Sequence, residues 1–349
     1  MTAIWNLPDY DAHESVHFYD DAKSGLRAII ALHSTHLGPG AGGTRFWHYA
    51  DSAAAVTDAL RLSRGMSYKN AMAGLPLGGG KGIVLANPQR VKTPEMLAAF
   101  GRAIDTLGGR YVTAEDVGMT DADMVAISKT TKYVAGLPVT NKGSAGGDPG
   151  PYTSYGVYLG IKAAAKYRLG NADMAGVHIA IQGVGSVGGG VARLLAADGA
   201  RLTLADIDTE KRDALADELG AHTADLHDIM TVKADIFSPN ALGAILTADS
   251  IAALQVAIVA GGANNQMATR DDAQAVQARE ILYAPDYVIN AGGIINVGME
   301  YMGGATADMV NARVEEIPAR LNAIWDESAA DNISSAVVAD RMAQQLIGR

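Results

Sequence analysis

Two lysines, Lys69 and Lys81, stand twelve residues apart in the stretch 65–82, and the second follows three consecutive glycines, Gly78, Gly79 and Gly80. Two cations held near one pocket repel each other and are partly desolvated. Both effects favour the neutral amine and lower a lysine pKa. Such a lysine can act as a general base while its neighbour holds an anionic substrate. Three glycines in a row make a poor helix and a poor strand. They read as backbone that passes very close to something, or turns tightly, just before Lys81. Taken singly, a lysine is usually a solvated surface charge. A Walker-type phosphate loop does not fit, because Leu75 stands where its first glycine belongs and Gly82, not Ser or Thr, follows Lys81.

A second constellation lies at 183–188. Gly183, Gly185 and Gly188 have the spacing GxGxxG, with Ser186 and Val187 between the last two. In a chain with 40 glycines the pattern alone is weak. Its context strengthens it. An apolar strand (177–182) precedes it, an apolar helix (187–197) follows, and a second strand (201–205) ends in Asp206. That is the order of a dinucleotide site, with phosphates on the helix N-terminus and an acid on the ribose hydroxyls. Asp206 would repel a 2′-phosphate, and Ile207-Asp208 bring no arginine, so NAD is expected rather than NADP.

Three further motifs make the chain recognisable: SYKNAMAG around Lys69, LGGGKG around Lys81, and YVTAEDVG at 111–118. Together they resemble the amino-acid dehydrogenase family of glutamate, leucine, phenylalanine and valine dehydrogenases, nearest the leucine/phenylalanine/valine branch. The likeness runs from 26–46 to 281–297. It implies an α/β protein of two domains: an N-terminal α/β substrate and oligomerisation domain, and a Rossmann-type dinucleotide-binding domain, with a cleft between them. It implies NAD-dependent, reversible oxidative deamination of a hydrophobic L-amino acid to the 2-oxo acid and ammonium. Lys69 then binds the α-carboxylate, Lys81 is the catalytic lysine and Asp116 its proton-transfer partner. Asn264 contacts substrate and cofactor, and Thr153 matches a position that holds the nicotinamide carboxamide.

The glycine-rich stretch 38–45, with Gly42 in it, suits close approach of backbone to substrate. The side-chain pocket is expected from Ala41, Ala114, Ile294 and Val297, all apolar and beside the catalytic motifs. Ala41 stands where leucine dehydrogenases carry leucine, Ala114 is not the glycine of some phenylalanine enzymes, and Asn240 replaces a common cysteine. A 2-hydroxy-acid or malate-type dehydrogenase is the rival reading. Those sites usually rely on arginine and often histidine, where this chain offers lysines. A non-catalytic dinucleotide-binding module would not need Lys69, Lys81 and Asp116 together.

The elements that must position these groups follow from pattern. Strands are expected at about 15–19, 27–32, 82–86 and 111–114, and helices at 53–64 and from Pro94 to about 107. Residues 141–151 read as a linker. The domains are then 1–142 and 143–329, with a tail from about 330 to 349 packing back on the first. In the second, strands are expected at 235–237, 256–260 and 281–283, the last continued by 287–289, and a helix at 306–329. A length of 349 residues accommodates two domains, and 48% hydrophobic residues supply their cores. A net charge of −10 argues against nucleic acid or an anionic membrane as partner. There is no cysteine, which excludes disulfides and thiolate chemistry. His33 and His36 lack ligand spacing, so no metal is expected. Neither a signal segment nor a run of about 18 apolar residues is present, so a cytoplasmic protein is expected; the family resemblance implies a homo-oligomer.

Overall fold

The computed structural model describes residues 3–7, 9–86, 91–139 and 143–349. Strands β1 (Ser15–Asp21) and β2 (Leu26–Ser34) form the expected antiparallel hairpin, turning through Gly25 at φ 73°. Short strands β3 (Gly40–Ala41) and β4 (Thr44–Trp47) follow, then helix α1 (Ser52–Met72), strand β5 (Gly78–Leu85) and helix α2 (Pro94–Asp105). Strand β6 (Tyr111–Val112) and helix α3 (Asp121–Ser128) complete this part. The sheet order is β1-β2-β5-β3-β6, with β4 also on β5. It is covered on both faces, which is why β2 is almost wholly apolar. Ile30 and Leu32 pack with Phe100, Tyr111 and Ile127, while Ile29 and Ala31 pack with Ala55 and Ala59 of α1.

The glycine run differs from a loop: Gly78, Gly79 and Gly80 lie in β5, paired with β2 on one side and with β3 on the other. Glycine normally weakens a strand. Here nothing larger fits. A Cβ on Gly79 would stand 2.2 Å from the backbone nitrogen and hydroxyl of Ser67, and one on Gly80 2.7 Å from the Tyr111 ring. Close approach, the other half of the expectation, is what the glycines provide. Helix α1 also runs eight residues beyond the expected end at 64. Gly65 within it costs about 1 kcal/mol against alanine. Burial of Ser67, Tyr68, Asn70, Ala71 and Met72 outweighs that cost. The extension carries Lys69 into the last helical turn.

The second compact part begins with helix α4 (Gly150–Leu169). Strand β7 (His178–Gln182), helix α5 (Ser186–Ala197), strand β8 (Arg201–Ala205), helix α6 (Thr209–Leu219) and strand β9 (His222–Thr223) follow. Next come β10 (Ile236–Pro239), α7 (Ala248–Ala253), β11 (Ile258–Val259), α8 (Asp272–Ala278) and β12 (Leu282–Tyr283). All pairs are parallel and the order is β12-β11-β10-β7-β8-β9. Numbered within this sheet that is 6-5-4-1-2-3, the doubly wound order whose switch point lies at the first strand. Residues 287–289 do not continue β12 but form helix α9 (Asp286–Ile289), because Pro285 ends the strand and its carbonyl starts the helix. After it come α10 (Gly292–Met302), α11 (Ala307–Val314), α12 (Ile317–Asp331) and α13 (Ser335–Leu346). The single helix expected over 306–329 is thus two. Pro318 opens the second, and proline cannot donate inside a helix.

The compact units are 1–147 with 294–307 and 343–349, and 148–293 with 308–342. Residue 142, the last of the expected first domain, and with it the linker residue 141, lie outside the described residues. Two departures from the expected division have visible causes. The Glu300 carboxylate accepts from the amides of Gly136 and Leu137 at 2.7 and 3.1 Å, and Asn296 exchanges hydrogen bonds with Gly146, so 294–307 counts with the first unit. Of the tail, only 343–349 does. Arg349 donates to the carbonyls of Asp11, Ala12 and His33, whereas Ser335 donates to Tyr283 and so stays with the second unit. Arg349 also donates to Nε2 of His33 at 2.7 Å, and a guanidinium only donates. Nε2 of the buried His33 also faces Asp11 Oδ2 at 3.2 Å, and its Nδ1 faces Ser67 Oγ at 2.8 Å. Burial, helped by Arg349 and His13, pushes its pKa down to about 3. No helix among the described residues is long and apolar enough to cross a membrane.

Candidate active site

Lys81 sits mid-strand in β5, opposite Ala31 of β2, and only 5% of its surface is exposed. Its Nζ donates to Oδ2 of Asp116 at 2.7 Å. Asp116 reaches it because Gly43 lacks a side chain: a Cβ there would stand 2.9 Å from the Cβ of Asp116. The amide of Thr44 bonds the Ala114 carbonyl at 2.8 Å and fixes the approach of that segment. Burial pushes the Lys81 amine down from the ordinary lysine range, against the pull of Asp116, and the positive charge of Arg45 adds to the lowering. Burial alone would raise the Asp116 carboxyl. The charge and hydrogen bond of Lys81, with the charge of Arg45, outweigh it and hold the group below the usual carboxylate range. The pair is thus an amine made easier to deprotonate beside a carboxylate made harder to protonate.

Lys69, half-buried, lies in the last turn of α1, where a cation suits the negative end of the helix. The next residue fixes that end of the helix. Asn70 is fully buried and its amide donates to the carbonyls of Ala41 in β3 and Gly78 in β5 at 3.2 and 2.6 Å. Sequence reasoning passed over Asn70, although it stands inside the motif that marked Lys69.

Beside these groups is a recess with an entirely apolar surface. Ala41, Ala114, Ile294 and Val297, expected around the substrate side chain, line it together with Gly42, whereas Lys69 and Asn264, also expected at the substrate, are not among its wall residues. Leu77, Val112, Thr113, Ala135, Gly298 and Tyr301 complete the wall. Gly42 joins the recess to the lysine strand: a Cβ on it would stand 1.9 Å from the Gly80 carbonyl, and its own carbonyl accepts from Tyr111 at 2.8 Å. The additional wall residues from α10 were not readable, because a helix following Gly292-Gly293 was not expected there.

In the second unit, the loop between β7 and α5 carries the GxGxxG glycines. Gly183 has φ 88°, which only glycine adopts at little cost. Gly188 packs so that a Cβ would meet the Gly183 carbonyl at 1.9 Å, while the space beside Gly185 is open. Helix α5 begins at Ser186 and Val187 with no side chain capping its first turn, so those amides suit a phosphate. Asp206, at the end of β8, accepts from the amides of Val184 and Asp208 at 2.6 and 2.9 Å. Its carboxylate is held beside the glycine loop with acceptor capacity to spare for a diol. These residues fit a dinucleotide. Asn264 is exposed after β11, and its Oδ1 accepts from Nδ2 of the buried Asn290 at 2.8 Å. The Asn290 contact leaves the Asn264 amide as donor. Thr153 lies in the first turn of α4 and donates to the Pro149 carbonyl. Asn240, singled out as a departure, accepts from the Gly262 amide at 2.8 Å and so ties two loops at the strand ends. No cluster of three or more potential metal ligands exists among the described residues.

Comparison with known proteins bears on this arrangement. Residues 13–133 match the family model described as Glu/Leu/Phe/Val dehydrogenase, dimerisation domain, and residues 203–345 match that of Glutamate/Leucine/Phenylalanine/Valine dehydrogenase. The chain is 45% identical to the leucine dehydrogenase of Bacillus subtilis over 98% of its own length and 93% of the relative's. It is 43% identical to the valine dehydrogenase of Streptomyces coelicolor, over 97% and 93%. Among solved structures it resembles the L-tryptophan dehydrogenase of Nostoc punctiforme, with a TM-score of 0.86, 40% identity and 96% of each chain covered.

Proposed function

Because the chain belongs to the Glu/Leu/Phe/Val dehydrogenase family, an amino-acid dehydrogenase family that uses a nicotinamide dinucleotide, we propose that it is an NAD-dependent dehydrogenase of hydrophobic L-amino acids. The observation that carries this reading is the contact of the buried Lys81 with the part-buried Asp116, 2.7 Å apart, beside a recess with no polar surface. Lys69 takes the substrate carboxylate, and the recess takes the side chain. A bound nicotinamide cofactor supplies the acceptor for the hydride that leaves Cα. The Gly183–Gly188 loop, the Ser186 and Val187 amides, Asp206 and Thr153 are the residues that would hold it. Neutral Lys81 takes a proton from the water that adds to the substrate iminium, so that collapse gives the 2-oxo acid and releases ammonium. Asp116 exchanges protons with the departing amino group, and the donor amide of Asn264 orients the substrate. We read the first unit as carrying the homo-oligomer interface, in line with the description of the family model it matches.

Initial rates of cofactor reduction with L-leucine, L-valine, L-phenylalanine, L-glutamate and L-lactate test the reading. Turnover of the three hydrophobic amino acids, with glutamate very poor, is expected, because an unpaired charge in an apolar recess is expensive. Turnover of lactate alone would replace the reading with that of a hydroxy-acid dehydrogenase. Within the hydrophobic class, the wall residues Ala41, Ala114, Ala135 and Gly298 are small, and we read Ala41 as the one that sets the room left for a side chain. Ala41→Leu fills part of that room. It is expected to shift the leucine-to-phenylalanine ratio of kcat/KM by about 10-fold or more, since each misfitted methylene counts for about 1–3 kcal/mol. An unchanged ratio removes Ala41 from the specificity argument.

Cofactor choice rests on Asp206. Its backbone contacts fix the carboxylate where a 2′-phosphate would meet like charge. Such a juxtaposition costs several kcal/mol, so kcat/KM for NADP should fall more than about 100-fold below that for NAD. Kinetics with both cofactors decide it, and comparable efficiencies exclude this role for Asp206.

A further inference from the structure

Oδ2 of Asp116 is shared. Lys81 Nζ reaches it at 2.7 Å from β5, and Arg45 Nε reaches the same atom at 3.1 Å from β4. Arg45 is itself anchored. Its NH1 donates to Oδ2 of Asp58, on α1, at 2.8 Å. That carboxylate also accepts from the Tyr49 hydroxyl at 2.6 Å and from Arg61 at 2.9 Å. The Arg45 and Asp58 side chains are only 22% and 10% exposed, so solvent does little to screen them. Tyr111, fully buried on β6, also feels the charge of Asp116, and burial pushes its hydroxyl up to about 12, which keeps it neutral.

We propose that Arg45 is a positioning residue for the proton transfers of this site. It holds Asp116 by the oxygen shared with Lys81 and keeps the carboxylate paired whenever Lys81 is neutral. The inference rests on the amino-acid dehydrogenase reading above. Lys81 must alternate between amine and ammonium during the reaction. Without Arg45, each loss of its proton would leave the part-buried Asp116 without the charge of either partner that shares its Oδ2. The carboxylate would then take up the proton, and the base and its partner would titrate as one coupled unit. A second cation that cannot deprotonate separates the two titrations. Asp58 limits the effect, because its negative charge opposes that of Arg45 at Lys81.

Arg45 and Asp58 should therefore act with opposite sign. In Arg45→Gln the repulsion on the Lys81 ammonium is lost, so its pKa rises and the ascending limb of kcat/KM moves to higher pH. In Asp58→Asn the charge of Arg45 is uncompensated, so the limb moves to lower pH. Shifts of about half a unit to one unit are expected for charges this close, with Arg45→Lys between wild type and Arg45→Gln. Each variant is followed in two ways: by kcat/KM against pH with the best amino acid, and by NMR titration of carbon-labelled lysine, with the Lys81 signal assigned by its loss in Lys81→Arg. The second readout needs no turnover. Should Arg45→Gln fail to fold, Asp58→Asn and Arg45→Lys carry the same test. Opposite shifts in folded variants support the proposal. Shifts of one sign, or none in an active enzyme, overturn it. Opposite NMR shifts in a protein that turns over no amino acid would sink the substrate reading and leave the electrostatic role of Arg45 standing.

Discussion

Lys81→Ala is expected to lower kcat by about 100-fold or more while cofactor affinity is retained. Groups that move a proton in the transition state typically contribute about 100- to 10,000-fold. Lys81 lies in the first unit, and the glycine loop that suits the dinucleotide lies in the second. The wild-type profile carries a matching expectation. Only the neutral amine can take a proton from water, and burial lowers the Lys81 pKa below its ordinary value of 10.5. The kcat/KM for deamination should thus rise with pH through an inflection below 10.5. Asp116, held low, stays ionised throughout and adds no inflection in that range. A Lys81→Ala enzyme that keeps more than about a tenth of kcat would take the lysine out of the chemical step. The substitution leaves Asp116 still paired with Arg45 at 3.1 Å, so gross unfolding is not the expected cause of the loss.

Lys69→Ala should act on the other side of the rate equation. Removing a cation proposed to meet the substrate carboxylate in a partly desolvated site should cost roughly 2–5 kcal/mol. That corresponds to a rise of roughly 30-fold to several thousand-fold in KM for the amino acid. The KM for NAD should change little. Part of any loss of stability is separable: a cation in the last turn of a helix contributes only about 0.3–1 kcal/mol, and thermal unfolding reads that directly. An amino-acid KM unchanged from wild type would assign Lys69 to the helix end alone. Measured together, the two variants split binding from chemistry between residues that lie twelve positions apart in sequence.

The strand–loop–helix–strand order around 177–206 was legible because each step is local: an apolar run, three glycines at fixed spacing, an apolar helix and a terminal acid. The structure places these elements within a few residues of expectation. The lysines were legible as residue types, and the glycines before Lys81 as a demand for close approach. That the approach occurs within a strand was not legible, since glycine's intrinsic preference opposes β-structure. Only the proximity of Ser67 and Tyr111 explains why no side chain is tolerated there.

What the sequence determined by itself is the chemistry on offer: two lysines in glycine-rich settings, an acid after a short strand, a nucleotide fingerprint, and no cysteine or metal-ligand spacing. Tertiary structure alone decided which groups work on one another. Arg45 is one residue among many arginines until β4 lies parallel to β5 and Asp116 comes within 3.1 Å of it. Asp58 matters only because α1 packs over the same sheet, and Tyr301 lines the recess only because α10 counts with the first unit. The physical reason is common to all three. Electrostatic and packing energies depend on distances between segments far apart in the chain, and local propensity carries no information about those distances.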